Sequence, residues 1–148
     1  MPPTPPEAHE TDPDPAPGAA PTPPPVPSLL CDVQALAARP SAPAGALWRL
    51  AESGRQLDAN LVHLPPDQGV DTHTEPDLDV LLLVVAGGGR LESPGDGGTV
   101  VPLAEGALCW LPHGSTRRLA AGPDGLSYVT VHRRRPGMRI KSRPPEGR

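Results

Sequence analysis

Hydrophobic and polar positions alternate along the middle of this chain, between residues 45 and 133. Leu57 and Leu61, for example, fall on one face of an extended segment, and Asp58 and Asn60 fall on the other. Because the side chains of a β-strand point alternately to its two faces, this pattern predicts short, half-buried strands. The predicted strands are residues 46–51, 57–64, 70–75, 78–85, 90–92, 99–103, 107–111, 116–120 and 126–132.

Segments rich in proline and glycine separate these strands. Residues 64–69 form a turn, Gly87–Gly89 lets the chain bend, residues 93–98 connect the strands of a hairpin, and residues 121–125 form the last turn. Short strands at roughly 8–12-residue spacing, without helices between them, are typical of a β-sandwich or barrel. The sequence therefore predicts an all-β fold, most simply a jelly-roll barrel.

A short helix is predicted ahead of the strands, over residues 28–39. Ser28 is a suitable N-cap, and Val33 and Leu36 share one helical face. Pro40 ends this helix, because a proline pushes the residue before it out of the helical region.

Composition sets the two ends of the chain apart. Residues 1–27 hold 12 of the 24 prolines and no Lys or Arg, while residues 133–148 hold seven of the 13 basic side chains. Such segments have too few apolar side chains to offset the entropy of ordering, so we expect disordered ends. The predicted organisation is a proline-rich tail (1–27), a helix and linker (28–44), a barrel (45–133) and a basic tail (134–148).

Composition also narrows the partners and the location. The longest apolar run, residues 80–86, is far shorter than the ~20 residues of a membrane helix. No aromatic side chain alternates with the C-terminal arginines to stack on bases. Cys31 and Cys109 form no disulfide framework and no metal-binding motif. We expect a cytoplasmic protein without a membrane or nucleic-acid partner.

Two segments carry most of the reactive side chains. Residues 71–79 hold one imidazole and four carboxylates, directly before the apolar run 80–85. Further along, a predicted strand, a turn and the next strand are marked by Gly106, Pro112 and Gly114. Together the two segments resemble the two sequence motifs of the cupin family.

The resemblance is closer at the glycine and proline positions of the motifs than at their metal-ligand positions. The first cupin motif has two histidines two residues apart, then a glutamate, then a glycine. His73, Glu75 and Asp79 hold the three ligand positions here, and Gly87 comes one position late. The second motif ends in a histidine, and Arg117 stands in its place.

The resemblance implies a double-stranded β-helix, the cupin form of the jelly-roll barrel, with His73, Glu75, Asp79 and Arg117 converging inside it as a ligand pocket. In metal-binding cupins, three imidazoles and one carboxylate surround a divalent ion. An arginine keeps its proton and does not bind metals. We therefore expect no metal and no other cofactor. We also expect Arg117 to form an ion pair with Glu75 or Asp79.

Three kinds of function stay open. The protein is either a metal-free cupin-like module that binds a small polar or anionic ligand or acts as a dimer, or a metal-dependent enzyme. Such an enzyme, an oxygenase, isomerase or decarboxylase, would use His73, Glu75 and Asp79; no catalytic residue is assigned otherwise. The third kind is a scaffold that recruits partners through its tails. A homodimer is expected, because a core poor in aromatics gains stability by burying more apolar surface, with the helix and Trp48 as candidate contacts.

Overall fold

The computed structural model describes residues 24–39, 42–95 and 97–135. The chain divides into a unit ending at Leu30 and a second unit that begins at Cys31. The described part of the first unit, residues 24–30, forms neither helix nor strand. Most of the two predicted tails lies outside the described residues, so their disorder stays a prediction.

The helix is shorter than the sequence pattern predicts. It spans Val33–Ala37, and its N-cap is Asp32 rather than Ser28. The Asp32 carboxylate accepts hydrogen bonds from the backbone N–H groups of Gln34 at 3.0 Å and Ala35 at 3.1 Å. This aspartate satisfies the free N–H groups of the first turn, so the helix begins there and not four residues earlier.

Seven antiparallel strands make up the rest of the described structure. They form a sheet in the order β1-β2-β7-β4-β5, with β3 paired to β7 and β6 paired to β4. The all-β prediction is therefore confirmed. The strands are β1 (Gly45–Arg49), β2 (Leu57–Leu64), β3 (Gly69–Thr74), β4 (Val80–Ser93), β5 (Thr99–Ala104), β6 (Leu108–Leu111) and β7 (Thr116–Arg133).

Two of these strands are longer than predicted. Strand β4 continues through Gly87–Gly89, where a bend between two strands was expected, and β7 continues through residues 121–125, expected to be a turn. The two strands pair with each other, with irregularities at Val84/Ala86 and Gly87/Gly89. A Cβ atom on Gly87 would collide with the carbonyl oxygen of Gly125. The glycines thus let two bent strands pass closely while staying paired, instead of ending them.

The core lies between the inward faces of the long strands. In β4 the buried residues Val80, Leu82 and Val84 alternate with the exposed Leu81 and Leu83. The run is continuously apolar in sequence, so the two-residue period of the strand, and not a sequence pattern, separates its buried side chains from its exposed ones. The core cluster consists of Leu64, Val80, Leu82, Val84, Leu91, Leu103, Leu111, Leu119, Ala121, Leu126 and Tyr128.

Candidate functional site

A cavity of about 150 Å³ opens at one side of the core. Strands β3, β4, β6 and β7 contribute its walls. Six of its nine lining residues form pairs two apart on one strand, such as Arg117 and Leu119, because such residues share a face. The apolar lining is Val70, Val80, Leu82, Leu111 and Leu119, and the polar lining is His73, Arg117, Tyr128 and Thr130.

Arg117 is a buried cation in this cavity, only 6% exposed. Its Nη1 donates long hydrogen bonds to the carbonyl oxygen of Ser115 at 3.4 Å and to Ser115 Oγ at 3.3 Å. Within the described ranges, none of the ion pairs includes Arg117. Burial lowers the pKa of Arg117, and the charge of Glu75 partly offsets that effect. The cation is thus desolvated without a contacting carboxylate from the described part of the chain.

The imidazole of His73 lies at the exposed side of the same cavity. His73 and Arg117 are opposite each other in the β3–β7 pair. The Nδ1 atom of His73 is 3.0 Å from the carbonyl oxygen of Asp71. Since a carbonyl oxygen only accepts, this contact places a proton on Nδ1 and leaves Nε2 available.

Glu75 is held away from Arg117 by another arginine. Its Oε2 is 2.6 Å from Nη2 of Arg135, and its Oε1 accepts a hydrogen bond from the backbone N–H of Asp77 at 3.2 Å. The hydrogen bond from Arg135 is the main cause that lowers the pKa of Glu75. Glu75 follows the last residue of β3, Thr74, so the alternation that would place it beside His73 ends one residue too early.

Asp79 is engaged with a turn instead of the cavity. Its Oδ1 accepts from the backbone N–H of His113 at 2.9 Å and from His113 Nδ1 at 2.7 Å. These two hydrogen bonds lower its pKa. Asp79 precedes the inward-facing Val80 at the start of β4, and neighbouring residues of a strand point to opposite faces. It lines a separate depression together with Leu81 and Trp110.

The structure therefore brings together two of the four predicted pocket residues, His73 and Arg117. The expected ion pair of Arg117 with Glu75 or Asp79 is wrong for the described residues, because each carboxylate has another partner. Sequence reasoning missed Tyr128 and Thr130 as cavity residues. The signal was available, since Leu126, Tyr128 and Thr130 alternate on one face of a predicted strand. That the cavity binds a ligand stays a prediction.

The side chains near the cavity do not fit a divalent metal ion. Among residues 24–39, 42–95 and 97–135, no group of three or more His, Cys, Asp or Glu side chains is close enough to hold one. A fixed guanidinium charge faces the only imidazole that lines the cavity, and it would repel a cation.

Solved structures of double-stranded β-helix proteins resemble this protein. One is a protein with a double-stranded β-helix domain from Klebsiella pneumoniae, 21% identical with a TM-score of 0.57, which matches over 72% of this chain and 90% of its own. Another is a cupin protein from Bacteroides fragilis, 16% identical with a TM-score of 0.51, over 68% and 86% of the two chains. Oxalate decarboxylase of Bacillus subtilis, 17% identical with a TM-score of 0.49, matches 53% of this chain and only 21% of its own.

The similarities to the Klebsiella pneumoniae and Bacteroides fragilis proteins establish the fold, a cupin-type double-stranded β-helix, and so confirm the architecture that the motifs implied. No protein-family model and no curated protein matches the sequence. The similarity to oxalate decarboxylase covers about a fifth of that enzyme and carries no conclusion about activity. In the described part of the chain, no helix has the length and apolar character needed to cross a membrane.

Proposed function

We propose that this protein binds a small organic anion in the cavity, with the carboxylate of the ligand paired to Arg117. The observation that carries the proposal is the burial of this guanidinium in an apolar cavity without a carboxylate partner among the described residues. An arginine keeps its charge at any physiological pH. A buried charge is costly unless it is paired, so the site favours an anion supplied from outside.

The chemistry and size of the cavity limit the ligand. A guanidinium matches a carboxylate through two parallel hydrogen bonds, and the apolar walls suit a hydrocarbon chain. The volume of about 150 Å³ is below the roughly 300–1,000 Å³ of sites for drug-sized molecules. We therefore propose a short aliphatic acid as the ligand class.

Titration of the full-length protein with butyrate and with butyramide, followed by amide chemical shifts, tests this proposal. We expect butyrate to shift resonances of β7 residues near the cavity and butyramide to bind at least tenfold more weakly, since charged hydrogen bonds contribute about 1.5–3 kcal/mol. Arg117→Met keeps most of the side-chain volume and should abolish butyrate binding.

The matched control is Arg118→Met, the next residue on β7. Its side chain is 54% exposed and lies 3.8 Å from Glu92, so the change removes the same charge outside the cavity. Equal binding of butyrate and butyramide, or unchanged binding by a folded Arg117→Met variant, would refute the anion site.

The metal-dependent enzyme is disfavoured by the same geometry, because Glu75 and Asp79 are paired with Arg135 and His113 and do not join His73. Elemental analysis of protein purified without chelator or a nickel column distinguishes the two functions. Near-stoichiometric iron, manganese, zinc or nickel, lost in His73→Ala, would favour the enzyme over the anion site.

A further inference from the structure

Besides Arg117 and His73, two residues with hydroxyl groups line the cavity. Tyr128 and Thr130 lie two residues apart on β7, and both line the cavity. Tyr128 is 4% exposed. The β7 side chains with hydrogen bonds inside the described ranges are those of Thr116, Arg117, Ser127, His132 and Arg133. The hydroxyls of Tyr128 and Thr130 therefore have no partner in the described part of the chain.

Both hydroxyls have solvent-accessible surface. Among the described residues that are not exposed, no side-chain nitrogen or oxygen is both fully buried and without a hydrogen-bond partner. An unpartnered hydroxyl on Tyr128 or Thr130 must therefore contact accessible space, and the cavity adjoins both residues. Burial raises the pKa of Tyr128 to about 12, so its hydroxyl keeps its proton and is able to donate at neutral pH.

Arg117, Tyr128 and Thr130 share one small cavity, which His73 also lines at its exposed side. Arg117 pairs with a carboxylate, while Tyr128 and Thr130 each donate to or accept from one further oxygen. Because the volume is about 150 Å³, that second oxygen has to lie within a few atoms of the carboxylate. A simple fatty acid would leave both hydroxyls unpaired against its hydrocarbon chain, which is unfavourable.

We infer that the ligand class is a short aliphatic 2-hydroxy or 2-oxo acid, with its second oxygen hydrogen-bonded by Tyr128 and Thr130. This inference rests on the proposed anion site and narrows it.

Competition titrations with 2-hydroxybutyrate, 2-oxobutyrate and butyrate test the inference on the full-length protein. We expect at least one of the oxygenated acids to bind about tenfold more tightly than butyrate, from one or two added neutral hydrogen bonds. In the double variant Tyr128→Phe/Thr130→Val, which preserves shape, this preference should disappear while butyrate binding stays. Thr72→Val, at an exposed position of β3, is the control and should keep the preference.

The two proposals fail in different ways. If butyrate binds through Arg117 but the oxygenated acids bind no better, the inference is wrong and the anion site stands. A preference that survives in the folded double variant also overturns the inference. If none of the three acids binds, both proposals are wrong.

Discussion

At the residue scale, the environment of Glu75 decides whether Arg117 is available to a ligand. Glu75 is close enough to influence the pKa of Arg117, yet its hydrogen bond goes to Arg135. Arg135 follows the end of β7 and so fastens this carboxylate outside the cavity. If Glu75 turned to Arg117 instead, it would neutralise the positive charge that we propose pairs with the carboxylate of the ligand.

This arrangement predicts how the pKa of Glu75 responds to a substitution. In Arg135→Met the main lowering contact is lost, so the pKa of Glu75 should rise toward its ordinary value of 4.5, measured by carboxyl carbon chemical shifts against pH. Arg134→Met, the exposed neighbour, should leave it unchanged. A pKa that stays low in Arg135→Met would mean that the backbone N–H of Asp77 or the charge of Arg117, and not Arg135, is the main influence on Glu75.

The sign of the effect on stability follows from the same contact. The folded pKa of Glu75 is lower than its unfolded value, so the contribution is present above pH 4.5 and is lost as the pH falls through the folded value. In Arg135→Met the free energy of unfolding should therefore fall less than in the wild type when the pH is lowered through this range.

At the scale of elements, the close passage of β4 and β7 depends on glycine at particular positions. Gly87 has a φ of +71°, and a Cβ there would collide with the backbone of Gly125. Gly106 also has a positive φ, +89°, but a Cβ there would meet nothing within 4 Å. An alanine at Gly106 would therefore have only the cost of the backbone conformation, whereas an alanine at Gly87 would have that cost and the cost of the collision.

We predict a clear difference between alanine substitutions at these two glycines. Gly106→Ala should lower the free energy of unfolding by about 1–2 kcal/mol, the cost of a left-handed conformation. Gly87→Ala should lose about 3 kcal/mol or more, because the paired strands must also move apart. Denaturant unfolding of both variants measures this. Equal losses would mean that β4 and β7 separate easily at this point.

At the scale of the whole molecule, the outer face of β4 and β6 is unusually apolar. Leu81 is opposite Trp110, and Leu83 is opposite Leu108. These four side chains, the outer apolar face, are between 39% and 66% exposed. A contiguous apolar patch on a monomer commonly marks an interaction site. The sequence analysis named other candidate contacts for a dimer, the helix and Trp48. Trp48 is half-buried in β1.

We propose a second copy of this chain as the partner of the outer apolar face. Asp79 and Arg133 lie at the depression that Leu81 and Trp110 line, and opposite charges at one rim are able to pair across a two-fold axis. A standard interface needs about 800 Å² from each partner, and these side chains would supply its apolar centre.

Sedimentation of the wild-type protein and of Leu108→Ser/Trp110→Ser tests the dimer. We expect a dimer for the wild type and a monomer for the variant, while Val100→Ser, an exposed apolar position on β5, should remain dimeric. A monomeric wild type at high micromolar concentration would contradict the proposal.

The sequence alone determined the features that depend on neighbouring residues. Alternation places Leu57 and Leu61 on one face of β2, because successive side chains of a strand point to opposite sides whatever the strand contacts. The hairpin of β4 and β5 was predicted for a similar local reason, since the glycine- and proline-rich segment 93–98 favours a tight connection. The spacing of strands and turns predicts a jelly-roll barrel, and the resemblance to the cupin motifs implies its double-stranded β-helix form.

The tertiary structure decided everything that depends on which strands meet. The bend expected at Gly87–Gly89 and the turn expected at residues 121–125 lie inside continuous strands, because pairing between β4 and β7 continues past them. The folded chain also pairs Glu75 with Arg135 and Asp79 with His113. It places Tyr128 in the same cavity as Arg117. Partners 34 or 60 residues apart leave no periodic signal, so only the folded chain determines which charge pairs with which.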